Sequence, residues 1–574
     1  MSLSVDVIDK ILARHAALGL QRRPHEVLWQ EIADYHLPHA AGIALAVAPG
    51  AKRTSKVYDS TAMDAADRLA SNFMGGMTNQ ATKWRSSEFE EPLLQEDYEA
   101  SVWIEDVDRR ELATYGQSNA YQRFHELYQQ LIVFGTGCLY VEEALGREPG
   151  FEGYNFKTLA LGSYDIAEGE QGRVDTVFVV HRLTARQAVQ RFGLDVLGAK
   201  VKQRLADGGA KVDEVTQYLQ VVHPREDASS AGAQRQQLRL ARNLPWASCV
   251  IDMEEKVVVR ESGYPEFPFF VPRWSKTVDV PGWLKSSMPD SAWGFGRGHL
   301  ALPHVKTLNA IVEWGLKALP LHLFPPGWTD DDSVIGRWDM TPGAMNAVRH
   351  GASVQPYQIG GNPQVVELHI EQLQQQIKDI FYWDQLQAIP RQPQKTAFEV
   401  AQIVEQLQRV MGPTFSRLTT ELFDPLANRT FGIRLRAGGF LPPPQSVLEE
   451  AAQHRGRIRV KYEGPLARAQ RASEVEAIQR LYGFAGQVAQ ERQTQEIYDT
   501  LDDDAMVRHM GDILGVPQHL FRDKRLVARL QAQRQQAAEA EAQQRAQLAA
   551  SQTAKNVTPL MTQGMTQGMT PHVT

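Results

Sequence analysis

Chemistry at neutral pH needs nucleophiles, acid–base pairs or metal ligands at reachable spacings, and this chain offers few such groupings. His36-Leu37-Pro38-His39 sets two histidines across a proline. Nothing close in sequence supplies the further ligands a metal would need, so two surface histidines are expected. Asp330-Asp331-Asp332 and Asp502-Asp503-Asp504 resemble cation-binding acid runs. Neither has calcium-loop spacing with a distal glutamate, so solvated turns or charges at a helix N-terminus are expected. Gly294-Phe295-Gly296-Arg297-Gly298 departs from the dinucleotide-binding spacing and follows no obvious parallel-sheet strand, which leaves a structural turn. Ser163 and Ser262 lack the context of a nucleophile elbow. No Gly-x-x-x-x-Gly-Lys-Ser/Thr run occurs, so a nucleotide-driven motor has no phosphate loop here. We assign no catalytic residue, no metal site and no cofactor, and read the chain as not an enzyme.

The elements that would have to position any site are those of a large multidomain chain. Its 574 residues exceed what one hydrophobic core organises. No apolar run approaches the roughly 20 residues that span a bilayer, so no membrane partner is expected. The N-terminus carries Asp6 and no basic stretch, unlike a signal peptide, and synthesis in the cytoplasm is expected. Cys138 and Cys249 lie in β-like apolar runs and read as small buried hydrophobes. A net charge of −7 argues against tight, sequence-reading DNA binding. It is compatible with transient handling of DNA, because each neutralised phosphate adds affinity through counterion release.

The fold class reads as α+β and predominantly helical. Helical spacing covers residues 5 to 36, the stretch after Asp59-Ser60-Thr61 up to Gly75-Gly76, and one long run over 96 to 134. Residues 135 to 290 alternate like strands, interrupted by a helix capped by Thr184. Two helices then bracket a proline-rich insert. The first, 297 to 319, carries Val305, Leu308, Val312 and Leu316 in one stripe; the second, 366 to 387, carries Ile370, Leu373, Ile377 and Ile380. Both stripes are narrow and suit packing against neighbouring helices. A polar loop at 388 to 395 leads to a third helix, 396 to 431, which Gly412-Pro413 should kink. Beyond a strand at 458 to 463 come helices over 466 to 522 and an Ala/Gln-rich helix over 523 to 550. The tail 551 to 574, with its repeated Met-Thr-Gln-Gly, reads as disordered.

An ordered series of short segments resembles the portal proteins of short-tailed bacteriophages, the podovirus head-to-tail connector family. The series runs Tyr58-Asp59-Ser60-Thr61-Ala62, Phe134-Gly135-Thr136-Gly137-Cys138-Leu139, Gly172-Arg173-Val174-Asp175, Thr184-Ala185-Arg186-Gln187, Glu261-Ser262-Gly263-Tyr264 and Arg273-Trp274. It continues with Gly294 to Asn309, which resembles the start of the family's first stem helix. Lys395-Thr396-Ala397-Phe398-Glu399-Val400 follows, with Phe398 a departure from the family's run. Gly412-Pro413, Glu421-Leu422-Phe423-Asp424-Pro425-Leu426 and Tyr462-Glu463-Gly464-Pro465-Leu466-Ala467 complete it.

The resemblance implies a portal fold of wing, stem, clip and crown, assembled as a ring of twelve. On it, 1–296 is wing, 297–319 the first stem helix, 320–365 the clip, 366–387 the second stem helix and 388–395 a channel loop. Residues 396–470 return to the wing, 471–522 form the crown, and 523–550 are a candidate barrel stave. The ring would sit in the virion at the head–tail vertex. Its implied partners are further copies of itself, double-stranded DNA held transiently, major capsid protein, scaffolding protein, the terminase large subunit and a tail adaptor. Arg391 and Lys395 would touch phosphates in the channel, with Gln392 and Gln394 offering sequence-blind hydrogen bonds. An ordinary surface connection remains the other reading of that loop. A helical structural or adaptor protein of the virion, with no channel, is the alternative for the whole chain.

Overall fold

The computed structural model describes residues 5–40, 42–44, 51, 53–80, 83–89, 91, 93–94, 97–144, 151–225, 243–276, 291–323, 327–328, 335–337, 339, 341, 347, 349–350, 355–356, 363–383, 411–453, 460–463, 465–492, 501–514, 516, 520–522 and 524–564. In the N-terminal half, helices α1 (Val5–His36), α2 (Thr61–Met77), α3 (Tyr98–Gln117) and α4 (Ala120–Phe134) alternate with one short strand, β1 (Ser86–Phe89). Strands β2 (Cys138–Glu143), β3 (Tyr154–Leu159), β4 (Tyr164–Glu168) and β5 (Val174–Thr184) follow, then helices α5 (Ala185–Phe192) and α6 (Ala199–Asp207). The strand-rich region closes with β6 (Val215–Pro224), β7 (Trp246–Asp252), β8 (Val257–Tyr264) and β9 (Phe269–Phe270). Strands β4 to β8 form one antiparallel meander, and β3-β2-β9 form a second, smaller sheet.

The long helix α7 (Arg297–Leu323) and its partner α8 (Pro363–Ile380) come next. Between them, strands β10 (Gly327–Trp328) and β11 (Gln355–Pro356) pair antiparallel. A helical run over 411–418 passes through a π turn, Thr419–Phe423, into α9 (Asp424–Arg436). Then come α10 (Gln445–Gln453), strand β12 (Val460–Glu463), α11 (Pro465–Arg492), α12 (Asp503–Leu514) and α13 (Lys524–Gly564). Strand β12 returns to pair with β1, so the C-terminal part is tied back to the start of the chain.

The main core is built where α1, α2, α4, the small sheet, α7 and α8 meet. Trp29, Leu69, Phe124, Leu131, Leu139, Val305, Leu308 and Ile377 are buried in it together. Four of the eight candidate stripe residues, Val305, Leu308, Leu373 and Ile377, are thus covered inside the subunit. Val312, Ile370 and Ile380 pack partly against the same core, while Leu316 is exposed. Neighbours are therefore needed only for the outer end of the stripe, where the core stops.

The structure corrects several expectations. The run 96 to 134 is two helices, because Ser118 Oγ accepts from Ala120 N and the Asn119 side chain bonds both N and O of Phe156. Such side-chain bonds offer the backbone an alternative to the helix. Helix α2 passes Gly75-Gly76 to end at Met77. Helix α7 runs through Pro320 to Leu323 rather than ending at Leu319. Helix α8 starts at Pro363, a residue suited to the first turn, and ends at Ile380. Tyr382 then adopts a left-handed φ of 56°, and residues 384–387 lie outside the described set. Helix α13 continues to Gly564 where disorder was expected. His36 is buried, not a surface residue.

Other expectations match. Thr184 caps α5 with a full capping box, its hydroxyl bonded to Gln187 N and Gln187 bonded back to Thr184 N. Both cysteines are free and buried. Asp502 to Asp504 sit at the start of α12, where Asp502 Oδ1 accepts from Ala505 N. No described helix is long and apolar enough to cross a membrane.

Candidate functional site at the root of the helix pair

The segments quoted from the sequence, far apart along the chain, come together at the root of α7. Helix α4 ends at Gly135, whose φ of 81° is left-handed. A Cβ there would lie 2.2 Å from the carbonyl carbon of Phe295 and 2.3 Å from Gly296 N. Gly296 and Gly298 press in turn on the carbonyls of Ile132 and Val133. Backbone thus meets backbone, which only glycine permits. The lock is completed by hydrogen bonds: Gly294 N donates to Thr136 Oγ1 (2.8 Å), Trp274 N to Gly135 O (2.9 Å) and Phe295 N to Ser275 O (2.8 Å).

Below this lock, Arg273 is only 1% exposed along its side chain. Its Nη2 donates to Glu421 Oε1 (2.5 Å) and Gly172 O (3.0 Å), its backbone N to Glu421 Oε2 (2.8 Å), and its Nη1 to Glu168. Burial alone would lower the guanidinium's pKa. The Glu421 and Glu168 carboxylates outweigh that and hold it above the ordinary value. Glu421 belongs to the π turn, an extra residue in the helical coil of the kind that re-aims side chains.

Asn309 fixes the register of the helix pair. It is buried in the apolar stripe of α7, its Nδ2 donating to Val305 O and its Oδ1 accepting from Tyr58 N (2.7 Å) and Asp59 N (3.0 Å). Asp59 Oδ2 accepts from Gln374 Nε2 on α8 (2.8 Å). One aspartate therefore sets Asn309 and Gln374 at the same height.

Cations and rings cover the end of α8. The Arg297 guanidinium lies 4.2 Å from the Tyr382 ring centre, and Arg68 lies 4.1 Å from that of Trp383. Three desolvated histidines surround the root. His25 stacks on Trp29, His36 leans on Phe381, and His299 meets Phe295 edge-on. Burial lowers all three pKa values, those of His36 and His299 to about 4.

Every strong donor and acceptor in the Arg273 and Asn309 networks is used to hold elements in place. The arrangement is a mechanical joint rather than a reaction centre. Among the described residues no His/Cys/Asp/Glu cluster could hold a metal ion. Arg391, Gln392, Gln394 and Lys395 lie outside the described residues, as do Asp330 to Asp332. Gly412 and Pro413 fall in the helical run over 411–418, and the preceding turn that a kink would involve lies outside the described set. Sequence reasoning quoted Arg273 and Asn309 without seeing their role. The available signal was a polar Asn309 set among apolar stripe positions, which implies a buried partner.

A family model described as bacteriophage head to tail connecting protein matches residues 8–521. The chain belongs to this family. It is a family of connecting proteins, not of enzymes. Among relatives, a probable portal protein of Bordetella phage BPP-1 is 29% identical over 535 residues, covering 91% of this chain and 90% of the relative. The portal protein of Salmonella phage epsilon15 is 26% identical over 536 residues, covering 92% and 91%. Solved assemblies also align at 12% identity. One is the virion of a native gene transfer agent particle, covering 76% of this chain and 91% of that chain, with a TM-score of 0.33. Another is the neck of the native particle with C12 symmetry, covering 75% and 86%, with a TM-score of 0.30. In this connector, the joint at Gly135, Arg273 and Asn309 is the base on which the α7–α8 pair stands.

Proposed function

We propose that this connector forms a ring, of twelve copies by the resemblance, at one capsid vertex, and that double-stranded DNA passes through it during packaging and ejection. The observation that carries the reading is the α7–α8 pair: rigidly rooted, yet exposing Leu316, Leu319 and Leu323 on the outer continuation of a stripe whose inner part is buried. An apolar stripe left open in one subunit is closed by a neighbour, and a heterologous contact that closes gives a ring. A net charge of −7 suits a conduit, which must not grip the phosphates that pass. Negative-stain images of the purified full chain should show rings with a central hole wide enough for duplex DNA. Strictly monomeric protein at micromolar concentration across several salt concentrations would sink the reading, and particles without a hole would favour a non-channel adaptor.

The insert between the two helices is the docking surface for the terminase and, later, the tail adaptor. Its base is closed by the β10–β11 pair, and Ile335 N bonds Ala347 O within it. Deleting 330–350 should spare that pair and ring formation but abolish adaptor binding in a pull-down. A deleted ring that still captures the adaptor would refute the assignment.

Residues 388–395 face the channel. Arg391 and Lys395 from every subunit would form a local cationic ring that slows DNA backsliding without locking it, since exposed phosphate contacts are weak and salt-sensitive. Arg391→Ala with Lys395→Ala should leave assembly intact and change the DNA retained per particle, most clearly at low salt. Normal retention would end the channel role of this loop while leaving the connector reading in place.

A further inference from the structure

We infer that Trp314 on α7 of one subunit docks beside Leu368 on α8 of the next, so that one indole per subunit anchors the ring at the level of the helix pair. The inference rests on the ring reading above. It names the two faces that meet.

On a helix of 3.6 residues per turn, Trp314 lies about 150° around α7 from the stripe of Val305, Leu308 and Val312. Leu368 lies about 170° around α8 from the stripe of Ile370, Leu373 and Ile377. Both side chains therefore point away from the core that buries the two stripes. Each is open, Trp314 at 66% and Leu368 at 56% exposure. An indole in mid-helix with no stacking or cation partner among the described residues leaves a large apolar area in water, and tryptophan is enriched where interfaces concentrate their binding energy.

Height selects the pairing. Asp59 holds Asn309 and Gln374 level. Trp314 is five residues outward from Asn309, and Leu368 is six residues outward from Gln374. At about 1.5 Å per residue, both stand roughly 7–9 Å beyond the bridge. A copy rotated about a ring axis keeps its height, so the Trp314 side of one subunit meets the Leu368 side of its neighbour.

Charge agrees. Beside Trp314 stands Lys317, 68% exposed and paired with Glu313 of its own helix (2.6 Å). Beside Leu368 stand Glu367 and Glu371, exposed, one turn apart and without an ion-pair partner among the described residues. Like charges four residues apart on a helix repel. A lysine from the next subunit relieves that repulsion, and its three donors can serve Glu313 at the same time.

The test uses the full chain, whose two native cysteines are buried. Trp314→Cys combined with Leu368→Cys, treated with a short bis-maleimide, should give a ladder of covalent oligomers on a denaturing gel. Each single variant should give none. Rings seen by native mass spectrometry without a ladder in the double variant would overturn the pairing, as would an equal ladder from either single variant. If the unmodified chain forms no ring, the ring reading falls and this inference with it. As a second measure, Trp314→Ala should raise the concentration for half-assembly by at least about tenfold, and Trp314→Phe by less. A midpoint unchanged within twofold in the alanine variant would exclude this face from the interface.

Discussion

Replacing Gly135 by alanine is expected to lower the unfolding free energy by roughly 2–5 kcal/mol. Two separate costs meet at this residue. A left-handed φ of 81° costs an alanine about 1–2 kcal/mol. The new Cβ would also sit 2.2–2.6 Å from backbone atoms of Phe295 and Gly296. Overpacking typically costs about 1–3 kcal/mol, and here the neighbour cannot turn aside because it is main chain. Gly438→Ala supplies the control. Its φ of 71° is also left-handed, in the turn that ends α9 through Gly438 N to Leu435 O and Gly439 N to Arg434 O, but nothing lies within 4 Å of the position. Denaturant midpoints should therefore show a drop of about 1–2 kcal/mol for Gly438→Ala and a clearly larger one for Gly135→Ala. Equal losses would mean that the close approach of the α4 end to the α7 start does not hold the joint.

The same joint shows which features the sequence makes visible and which it conceals. Local chemistry was legible. Thr184 and Gln187 lie three residues apart, and their capping box follows from side-chain reach alone. The stripes of α7 and α8 were also read residue by residue, and the structure buries four of the eight inside the subunit. What stayed hidden was long-range pairing. Tyr58 N meets Asn309 across 251 residues, and Gln374 meets Asp59 across 315. No spacing rule encodes such partners. Ends of elements were blurred for a different reason. Ser118 and Asn119 break a helical pattern that looks continuous from 96 to 134, because their side chains compete with the backbone ladder. His36 misled because no spacing shows which way the last side chain of a helix turns, and two histidines flanking Leu37-Pro38 read as solvent-facing. In the structure it is the last residue of α1, its ring turned inward on Phe381. The charged loop at 388–395 was legible as a loop and no more, since the meaning of a loop lies in what it faces.

That inward His36 is part of the second large expected effect, an acid weakness at the root of α7. The three histidines are held neutral by burial, which is the largest influence on each. His36 Nδ1 bonds Ile32 O, so it carries the proton, and the buried Nε2 has no hydrogen-bond partner among the described residues. His299 Nδ1 faces Gly296 N and must accept, which places its proton on Nε2. Protonation would set His25, His36 and His299 against one another, with Arg297 at the same helix start. Because the folded pKa values lie below the unfolded value near 6.5, the unfolded chain takes up these protons first as pH falls. The stability they leave intact is complete above about pH 6.5 and is lost progressively towards pH 4. His36 and His299, at about 4 each, account for up to about 3 kcal/mol apiece at the low end, by about 1.36 kcal/mol per unit. His181 on β5, also at about 4, adds a share of the same sign from outside the joint. Carboxylates held low by cation partners, such as Asp106 and Glu142, lose their contribution only at still lower pH. Chemical denaturation at pH 7.5, 6.0 and 5.0 should therefore show a steep fall over this window. In His36→Asn with His299→Asn, the amides can keep the bonds to Ile32 O and Gly296 N but bind no proton. The double variant should flatten that fall, leaving the His25 and His181 shares. A slope unchanged in it would show that the acid response arises elsewhere in the fold.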